Sequence, residues 1–208
     1  MPDNHYFCAM ELGTDYWNSR WQAGQTGWDL GAPSEPLAEF ALSLPRRDMR
    51  ILIPGAGNAW EAEFLHNNGF TNVFVLDIAP EAVESFRRRV PEFPAAHVIC
   101  GDFFAHTERY DVILEQTFFC ALNPALRAAY VQKMHSLLNA GGTLAGVLFD
   151  AEFEGGPPFG GSAAEYRTLF APYFELHTLE TARNSVKPRA GREVFFRFTP
   201  RTNVSPVS

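Results

Sequence analysis

The chain has 208 residues, of which 46% are hydrophobic and 20% are charged, a balance typical of one globular domain with a sizeable core. Its net charge of −7 at pH 7 argues against partners that need a basic surface, so we expect binding to neither nucleic acid nor membrane. The sequence lacks a basic-then-apolar leader and any apolar run of roughly 18 residues, which predicts a cytoplasmic protein without a membrane helix.

The cysteines Cys8, Cys100 and Cys120 are odd in number and form no Cys-x-x-Cys motif. The neighbours of Cys100 and Cys120 are mostly apolar, so we expect buried free thiols in a reducing compartment, and no metal site. The sequence shows no repeat and no heptad pattern, which leaves a monomer as the default expectation.

The N-terminal segment, residues 1–45, is rich in tryptophan. Trp17 and Trp21 lie four residues apart, so they share one face of a predicted helix, and glycines then open a loop that carries Trp28. Two interpretations of these indoles are open. They pack on the core, or they form a lid over a ligand pocket, where aromatic faces attract a cation. A further short helix is predicted over residues 36–44.

Residues 50–77 form the most informative unit, in which a strand, a glycine turn, a helix and a second strand follow one another. The turn holds Gly55 and Gly57, and Asp77 ends the second strand 20 residues after Gly57. Glycine permits positive φ or close approach of a ligand, and an acid at this spacing can reach the ribose hydroxyls of a nucleotide. The alternative is an ordinary turn in which Asp77 caps the next helix. The third glycine of a dinucleotide site is missing, which disfavours an NAD-dependent oxidoreductase.

Strands and helices are predicted to alternate as far as residue 149. Helices are expected over residues 80–90 and 124–138, the second stopping at Gly141 and Gly142, and strands over residues 96–100, 110–115 and 143–149. This alternation predicts an α/β fold with a doubly wound, mostly parallel sheet and helices on both faces.

The last part of the chain is predicted to extend the sheet differently. Glycine and proline dominate residues 155–161, which predicts a loop, and Ser162 with Glu165 three residues later is the capping-box pattern of a helix start. Strands over residues 174–181 and 194–199, joined by a basic loop, bring the sheet to seven strands. We expect these two strands to form an antiparallel pair.

Three acids, Asp77, Asp102 and Glu115, fall at or just beyond the ends of predicted strands. In an open parallel sheet, the carboxyl ends of the strands form the ligand crevice. We therefore expect the three acids to outline a nucleoside site beside the glycine turn, although each acid alone could instead cap a helix or lie in a loop.

Several motifs together resemble the class I S-adenosylmethionine-dependent methyltransferases, and among them the thiopurine S-methyltransferase-like group that includes the plant halide and thiol methyltransferases. The motifs are Trp17-x-x-x-Trp21, Gly27-Trp28-Asp29, Ile53-Pro54-Gly55-Ala56-Gly57, Val75-Leu76-Asp77-Ile78, Gly101-Asp102-Phe103-Phe104, Phe118-Phe119-Cys120-Ala121-Leu122 and Gly155-Gly156-Pro157-Pro158-Phe159. The chain departs from the family at Asn58-Ala59-Trp60, where members often carry further glycines and a His-Asp pair.

The resemblance implies the Rossmann-like class I methyltransferase fold as a single domain over residues 1–208. Within it, residues 1–45 would be a Trp-rich helical lid, residues 46–199 the core sheet and residues 200–208 a frayed tail. The implied cofactor is S-adenosylmethionine, and the implied partner is a small-molecule substrate.

The resemblance also assigns site residues. The residues implied in cofactor binding are Trp17, Trp21, Trp28, Gly55, Gly57, Asp77, Ile78, Asp102, Phe103 and Glu115. Asp77 would hold the ribose hydroxyls, Asp102 with Phe103 would hold the adenine, and Glu115 would lie near the methionine amino group. Aromatic walls on the substrate side would come from Phe118, Phe119 and Phe159.

The implied reaction is in-line transfer of the sulfonium methyl group to a small soft nucleophile, such as a thiol, a thiopurine or a halide. Alignment alone contributes roughly 7–11 kcal/mol to such a reaction, and a thiol is already partly ionised at neutral pH. No general base is predicted, because His97 is expected to face the core and His106 to lie on a loop. A methyltransferase for an oxygen or nitrogen acceptor and a non-catalytic S-adenosylmethionine-binding protein remain as alternatives.

Overall fold

The structure, a computed structural model, describes residues 12–203. These residues form one seven-stranded sheet with helices packed on it. The strands are β1 (Ile51–Pro54), β2 (Val73–Asp77), β3 (Val98–Cys100), β4 (Tyr110–Gln116), β5 (Leu138–Phe149), β6 (Phe174–Thr181) and β7 (Glu193–Pro200). The α-helices are α1 (Thr14–Gln22), α2 (Glu35–Leu42), α3 (Trp60–Asn67), α4 (Pro80–Arg89), α5 (Arg127–Ser136) and α6 (Ala163–Phe170). No helix within residues 12–203 is long and apolar enough to cross a membrane.

The strand order across the sheet is β3-β2-β1-β4-β5-β7-β6. The pairs among β1 to β5 are all parallel, whereas β7 runs antiparallel to both β5 and β6. The chain reverses its direction across the sheet between β1 and β4, which is the topological switch point where doubly wound folds bind ligands. The predicted parallel sheet with a C-terminal antiparallel pair is therefore confirmed.

The two faces of the sheet bury separate cores. Within β1, Ile51 and Ile53 point to one core and Leu52 to the other, as the two-residue period of a strand requires. The first core is closed by α2, α3 and α4, and the second by α5 and α6. Full burial of each large apolar side chain contributes about 1.5–3 kcal/mol, so both faces need their helices. The prediction of helices on both faces is confirmed.

The predicted end of the second long helix is wrong. The helix α5 ends at Ser136, and Gly141 and Gly142 lie in the irregular first part of β5. The register between β4 and β5 shifts there, and pairing resumes at Val112 with Thr143. Gly141 has a φ of +73°, so this glycine serves a strand irregularity and not a helix cap.

The predicted burial of the cysteines holds for only one of the two that the structure describes. Cys120 is buried, but Cys100 is exposed because it ends β3, which is the edge strand of the sheet. The prediction for Cys8 lies outside the described residues.

Candidate functional site

A cavity of about 940 Å³ lies at the carboxyl ends of the parallel strands. Its wall includes Asp77 at the end of β2, the glycine turn after β1, Gln116 at the end of β4 and Phe149 at the end of β5. This volume is near the upper limit of small-molecule pockets, which span roughly 300–1,000 Å³. The cavity therefore has room for more than one small ligand.

The cavity brings together all but one of the predicted cofactor-binding residues. Those that line it are Trp17, Trp21, Trp28, Gly55, Gly57, Asp77, Ile78, Asp102 and Phe103, and Phe118 joins them from the predicted substrate side. Glu115, Phe119 and Phe159 do not line it.

The glycine turn, residues 55–57, has a conformation that only glycine adopts without strain. Gly55 and Gly57 have φ values of +57° and +55°. A Cβ atom added to Gly55 would also overlap the Phe118 ring, and one added to Gly57 would lie 3.3 Å from the Trp21 indole. Both glycines are thus explained by positive φ and by aromatic rings that approach the backbone closely.

Asp77 both lines the cavity and holds the turn. One carboxylate oxygen accepts the Gly57 N–H and the other accepts the Ala79 N–H, each at 2.8 Å. The side chain is 8% exposed, and this burial raises the pKa of Asp77 although both N–H groups favour its charged form. Ala79 lies just before α4, so Asp77 holds the chain ahead of the helix and does not cap it, and the same carboxylate lines the cavity.

The departure at Asn58-Ala59-Trp60 has a structural explanation, a cluster that we call the turn clamp: Asp29, Asn58, Trp60 and Arg89. The Asp29 carboxylate accepts from the Asn58 amide and, at 2.7 Å, from the Trp60 indole N–H. The Arg89 guanidinium lies 3.9 Å from the centre of the Trp60 ring and donates to the Asn58 carbonyl. The turn clamp therefore joins the glycine turn to the loop that carries Trp28.

The three N-terminal indoles line the cavity and do not belong to either core. Trp28 contacts Trp17 and Trp21 edge to face, with ring centres 5.6 Å and 6.2 Å apart. None of the residues of α1 is fully buried. Of the two interpretations of these indoles, the geometry favours the second, in which they cover a ligand pocket and do not pack on the core.

The prediction that Glu115 lies beside a ligand is corrected. Its side chain is 0% exposed and turns into the core, where it accepts the N–H groups of Phe118 and Phe119 and the hydroxyl of Tyr130. Burial raises the pKa of Glu115 to about 7, although these hydrogen bonds favour the charged carboxylate and lower its pKa. Glu115 therefore shapes the turn after β4 and does not contact the cavity.

The neighbouring Gln116 was missed by the sequence reasoning. It lines the cavity, and its buried side-chain oxygen has no hydrogen-bond partner within residues 12–203. Successive side chains of a strand point to opposite faces, so the capture of Glu115 by the core leaves Gln116 at the cavity. The sequence feature that could have identified Gln116 is its position next to Glu115, as a second polar residue at the end of β4.

Two of the predicted aromatic walls are also corrected. Phe119 is buried among Tyr130 and Tyr166, with ring centres 5.1 Å and 5.5 Å away. Phe159 packs on Gly156, and the preceding residues Pro157 and Pro158 line the cavity in its place.

The far end of the cavity, at the end of β5, was not predicted. Phe149 and Phe153 contact each other edge to face at 5.0 Å, and the guanidinium groups of Arg189 and Arg192 lie over them at 5.3 Å and 5.0 Å. Arg189 pairs with the nearly buried Glu193 at 3.4 Å and donates to the Trp28 carbonyl at 2.8 Å. The sequence showed only a basic loop in this region.

Neither His97 nor His106 lines the cavity. His97 stacks on Phe74 of the core at 4.1 Å, as expected. The ring nitrogen of His106 lies 2.8 Å from the Tyr110 hydroxyl, and partial burial lowers the pKa of His106. The cavity does contain the buried carboxyl group of Glu61, but that group accepts the Ser34 N–H at 2.9 Å and so anchors the start of α2.

Relatives in sequence and structure place these observations in a family. The family model described as Thiopurine S-methyltransferase (TPMT) matches residues 12–202. The "Probable thiol methyltransferase 2" of Arabidopsis thaliana is 33% identical over 189 residues, which cover 88% of this chain and 83% of that protein. The thiopurine S-methyltransferase of Vibrio cholerae serotype O1 (strain M66-2) is 30% identical over 175 residues, which cover 75% and 80%.

Solved structures share the fold at low identity. A structure described for the conversion of a disulfide bond into a thioacetal group during echinomycin biosynthesis has a TM-score of 0.73 and 18% identity, covering 91% of this chain and 94% of that one. The Burkholderia thailandensis 1,6-didemethyltoxoflavin-N1-methyltransferase, with S-adenosylhomocysteine bound, has a TM-score of 0.69 and 16% identity, covering 91% and 87%. The resemblance predicted from the motifs is confirmed, and the chain belongs to the thiopurine S-methyltransferase family.

Proposed function

We propose that this protein transfers the sulfonium methyl group of S-adenosylmethionine to a small soft nucleophile, above all a thiol. The observation that carries this proposal is the cavity itself, in which aromatic walls and strand-end acids surround the glycine turn. The names of the sequence relatives, which include thiol, thiocyanate and thiopurine methyltransferases, point to sulfur acceptors.

The residues at the cavity fit the proposed cofactor. Asp77 and Asp102, at the ends of neighbouring strands, would accept hydrogen bonds from its ribose and adenine. The glycine turn leaves space for the chain of atoms that follows, since no Cβ projects there. The free side-chain oxygen of Gln116 would accept from its ammonium group, which needs such an acceptor.

The protein mainly supplies position and a dry, aromatic environment. Indole faces attract a sulfonium, and a cation near Trp17, Trp21 and Trp28 is held by about 0.5–2 kcal/mol per favourable contact. S-adenosylmethionine, when bound, would supply an electrophilic methyl group to the acceptor sulfur, with S-adenosylhomocysteine as the second product and the thiol proton released to water. A free thiol has a pKa of about 8.5, so enough thiolate exists at neutral pH without a protein base.

Product analysis by mass spectrometry tests this proposal. Purified protein is incubated with S-adenosylmethionine and a panel of iodide, bromide, hydrosulfide, thiophenol and a thiopurine. We expect a methylated thiol, which Trp28→Ala and Asp77→Asn both reduce at least tenfold, while the exposed control Asp48→Asn retains activity. Cofactor binding without a product from any of these acceptors would contradict the proposal and move it to an oxygen or nitrogen acceptor, or to a binding protein.

We also propose that residues 1–208 form one domain that acts as a monomer on small molecules in the cytoplasm, with residues 1–45 as its lid segment. Light scattering during gel filtration tests the oligomeric state. A mass near 23.3 kDa is expected, and a mass twice as large would refute the monomer.

A further inference from the structure

The chain between β1 and α3 contains an alanine in a conformation that favours glycine. Gly55 and Gly57 adopt positive φ without strain, but Ala59 has a φ of +52° and carries a Cβ atom. Ala59 is 1% exposed and directly precedes α3, and its N–H donates to the Ala56 carbonyl at 2.7 Å. A residue other than glycine keeps such a conformation only when its surroundings hold it there. The contacts around Ala59 must therefore stabilise its positive φ.

The side chain of Arg89, the last residue of α4, supplies contacts on both sides of Ala59. Its guanidinium donates to the Asn58 carbonyl, which belongs to the peptide bond that leads into Ala59, and to the Asn58 side chain at 3.3 Å. On the other side it donates to Glu63 of α3 at 3.0 Å and lies 3.9 Å from the centre of the Trp60 ring. Arg89 thus joins the residues before Ala59 to those after it.

The direction of the Asn58 carbonyl depends on the φ of Ala59. Because α3 is fixed by its packing, a rotation about the N–Cα bond of Ala59 would turn the preceding peptide plane and move this carbonyl away from Arg89. A charge-assisted hydrogen bond from a planar guanidinium, whose own position is fixed by Glu63, therefore favours positive φ at Ala59. The Arg89 side chain is 25% exposed, so salt screens these contacts only in part.

The same contact holds the glycine turn from its second side. Asp77 accepts the Gly57 N–H at 2.8 Å, and Arg89 donates to the carbonyl of the next residue, Asn58. Gly57 and Asn58 line the cavity, whereas Arg89 does not. Any effect of Arg89 on a ligand in the cavity must therefore pass through the turn.

We propose that Arg89 is a positioning residue for the cofactor, which holds Ala59 at positive φ and so keeps the glycine turn in the shape that binds S-adenosylmethionine. This inference rests on the proposed place of the cofactor at the glycine turn and does not depend on the acceptor. A turn that is ordered before binding need not be ordered by the ligand, so the loss of Arg89 should appear as a loss of affinity.

Calorimetry with S-adenosylhomocysteine tests the proposal in two backgrounds, wild type and Ala59→Gly, each with and without Arg89→Gln. The matched control is Arg88→Gln, which removes the same charge from the neighbouring residue of α4. Arg88 pairs with Glu81 at the surface and does not line the cavity.

We expect Arg89→Gln to weaken binding about fivefold or more in the wild-type background, because Ala59 then loses the contact that holds its positive φ. Glycine adopts positive φ unaided, so the same substitution in Ala59→Gly should weaken binding by no more than about twofold. Arg88→Gln should stay within about twofold of wild type. Arg89→Lys, which keeps the charge but loses the fork, should give an intermediate loss.

Hydrogen exchange without any ligand provides a second measurement. Arg89→Gln should speed exchange in the peptide that covers residues 55–64 and leave residues 110–116 of β4 unchanged. Faster exchange in both peptides would assign Arg89 to general stability and overturn the inference, as would equal losses of affinity in the two backgrounds. Wild type that binds no S-adenosylhomocysteine would refute the proposed cofactor site itself, whereas binding that Arg89→Gln leaves unchanged would overturn this inference alone.

Discussion

Replacement of Glu115 by glutamine should change how the stability of the protein depends on pH. Glu115 is fully buried, and its carboxyl group accepts the N–H groups of Phe118 and Phe119 and the hydroxyl of Tyr130. In Glu115→Gln, the amide oxygen can still accept both N–H groups, and the amide NH₂ can donate to the Tyr130 oxygen. The substitution therefore removes the ionisation and keeps the hydrogen bonds.

The size of the effect follows from the pKa of Glu115, which burial raises from 4.5 to about 7. Between these two values the folded protein holds a proton that the unfolded chain has lost, so stability falls as pH rises. The stabilising contribution of the protonated form is complete below pH 4.5 and is lost as pH rises through about 7. This rise in the pKa of Glu115, from 4.5 to about 7, corresponds to about 3 kcal/mol of stability, since each unit of pKa shift contributes about 1.36 kcal/mol.

Urea unfolding of wild type and Glu115→Gln at several pH values from 4.5 to 7.5 measures this contribution, with the free energy of unfolding extrapolated to water. We expect the wild type to lose about 3 kcal/mol relative to Glu115→Gln over this range. The difference between the two proteins removes the contribution of other buried carboxyl groups, such as Asp77 and Glu61. The exposed control Glu92→Gln should follow wild type. Parallel curves for wild type and Glu115→Gln would refute the reasoning.

Two further substitutions test the walls of the cavity. Gly55→Ala places a Cβ atom on a residue with positive φ and against the Phe118 ring. We therefore expect urea unfolding to show a loss of stability of at least about 1 kcal/mol. Unchanged stability would contradict the steric argument. Asp29→Ala removes the acceptor of the Trp60 N–H. We therefore expect calorimetry to show that S-adenosylhomocysteine binds this variant about tenfold more weakly than wild type. Binding equal to wild type would show that the turn clamp is not needed for the cofactor.

The features that could be predicted from the sequence are those encoded by neighbouring residues. The glycine turn and Asp77 belong to one strand–turn–helix–strand unit, so their spacing alone indicates a ligand crevice. The indoles of Trp17 and Trp21 share a face because they are one helical turn apart. These local patterns were enough to predict that the glycine turn, Asp77 and the indoles share one cavity.

The features that could not be predicted depend on partners far away in the sequence. Glu115 turns inward because Tyr130, 15 residues later, and the turn after β4 supply its donors. The far end of the cavity exists because β5 lies beside β4 and because the loop before β7 returns over Phe149. Gly141 resembled a helix cap, and only the register of β5 against β4 shows that it belongs to a strand.

The loop that carries Trp28 is tied to both ends of the cavity by adjacent residues. The Asp29 carboxylate holds the turn clamp at the glycine turn. The Trp28 carbonyl accepts from Arg189, whose guanidinium lies over the Phe149 ring at the far end of the cavity. A displacement of this loop would break both connections together, so we expect binding at the two ends to be coupled in free energy. We therefore expect Asp29→Ala to weaken the binding of a thiol acceptor as well as that of S-adenosylhomocysteine, and calorimetry with each ligand measures the two effects.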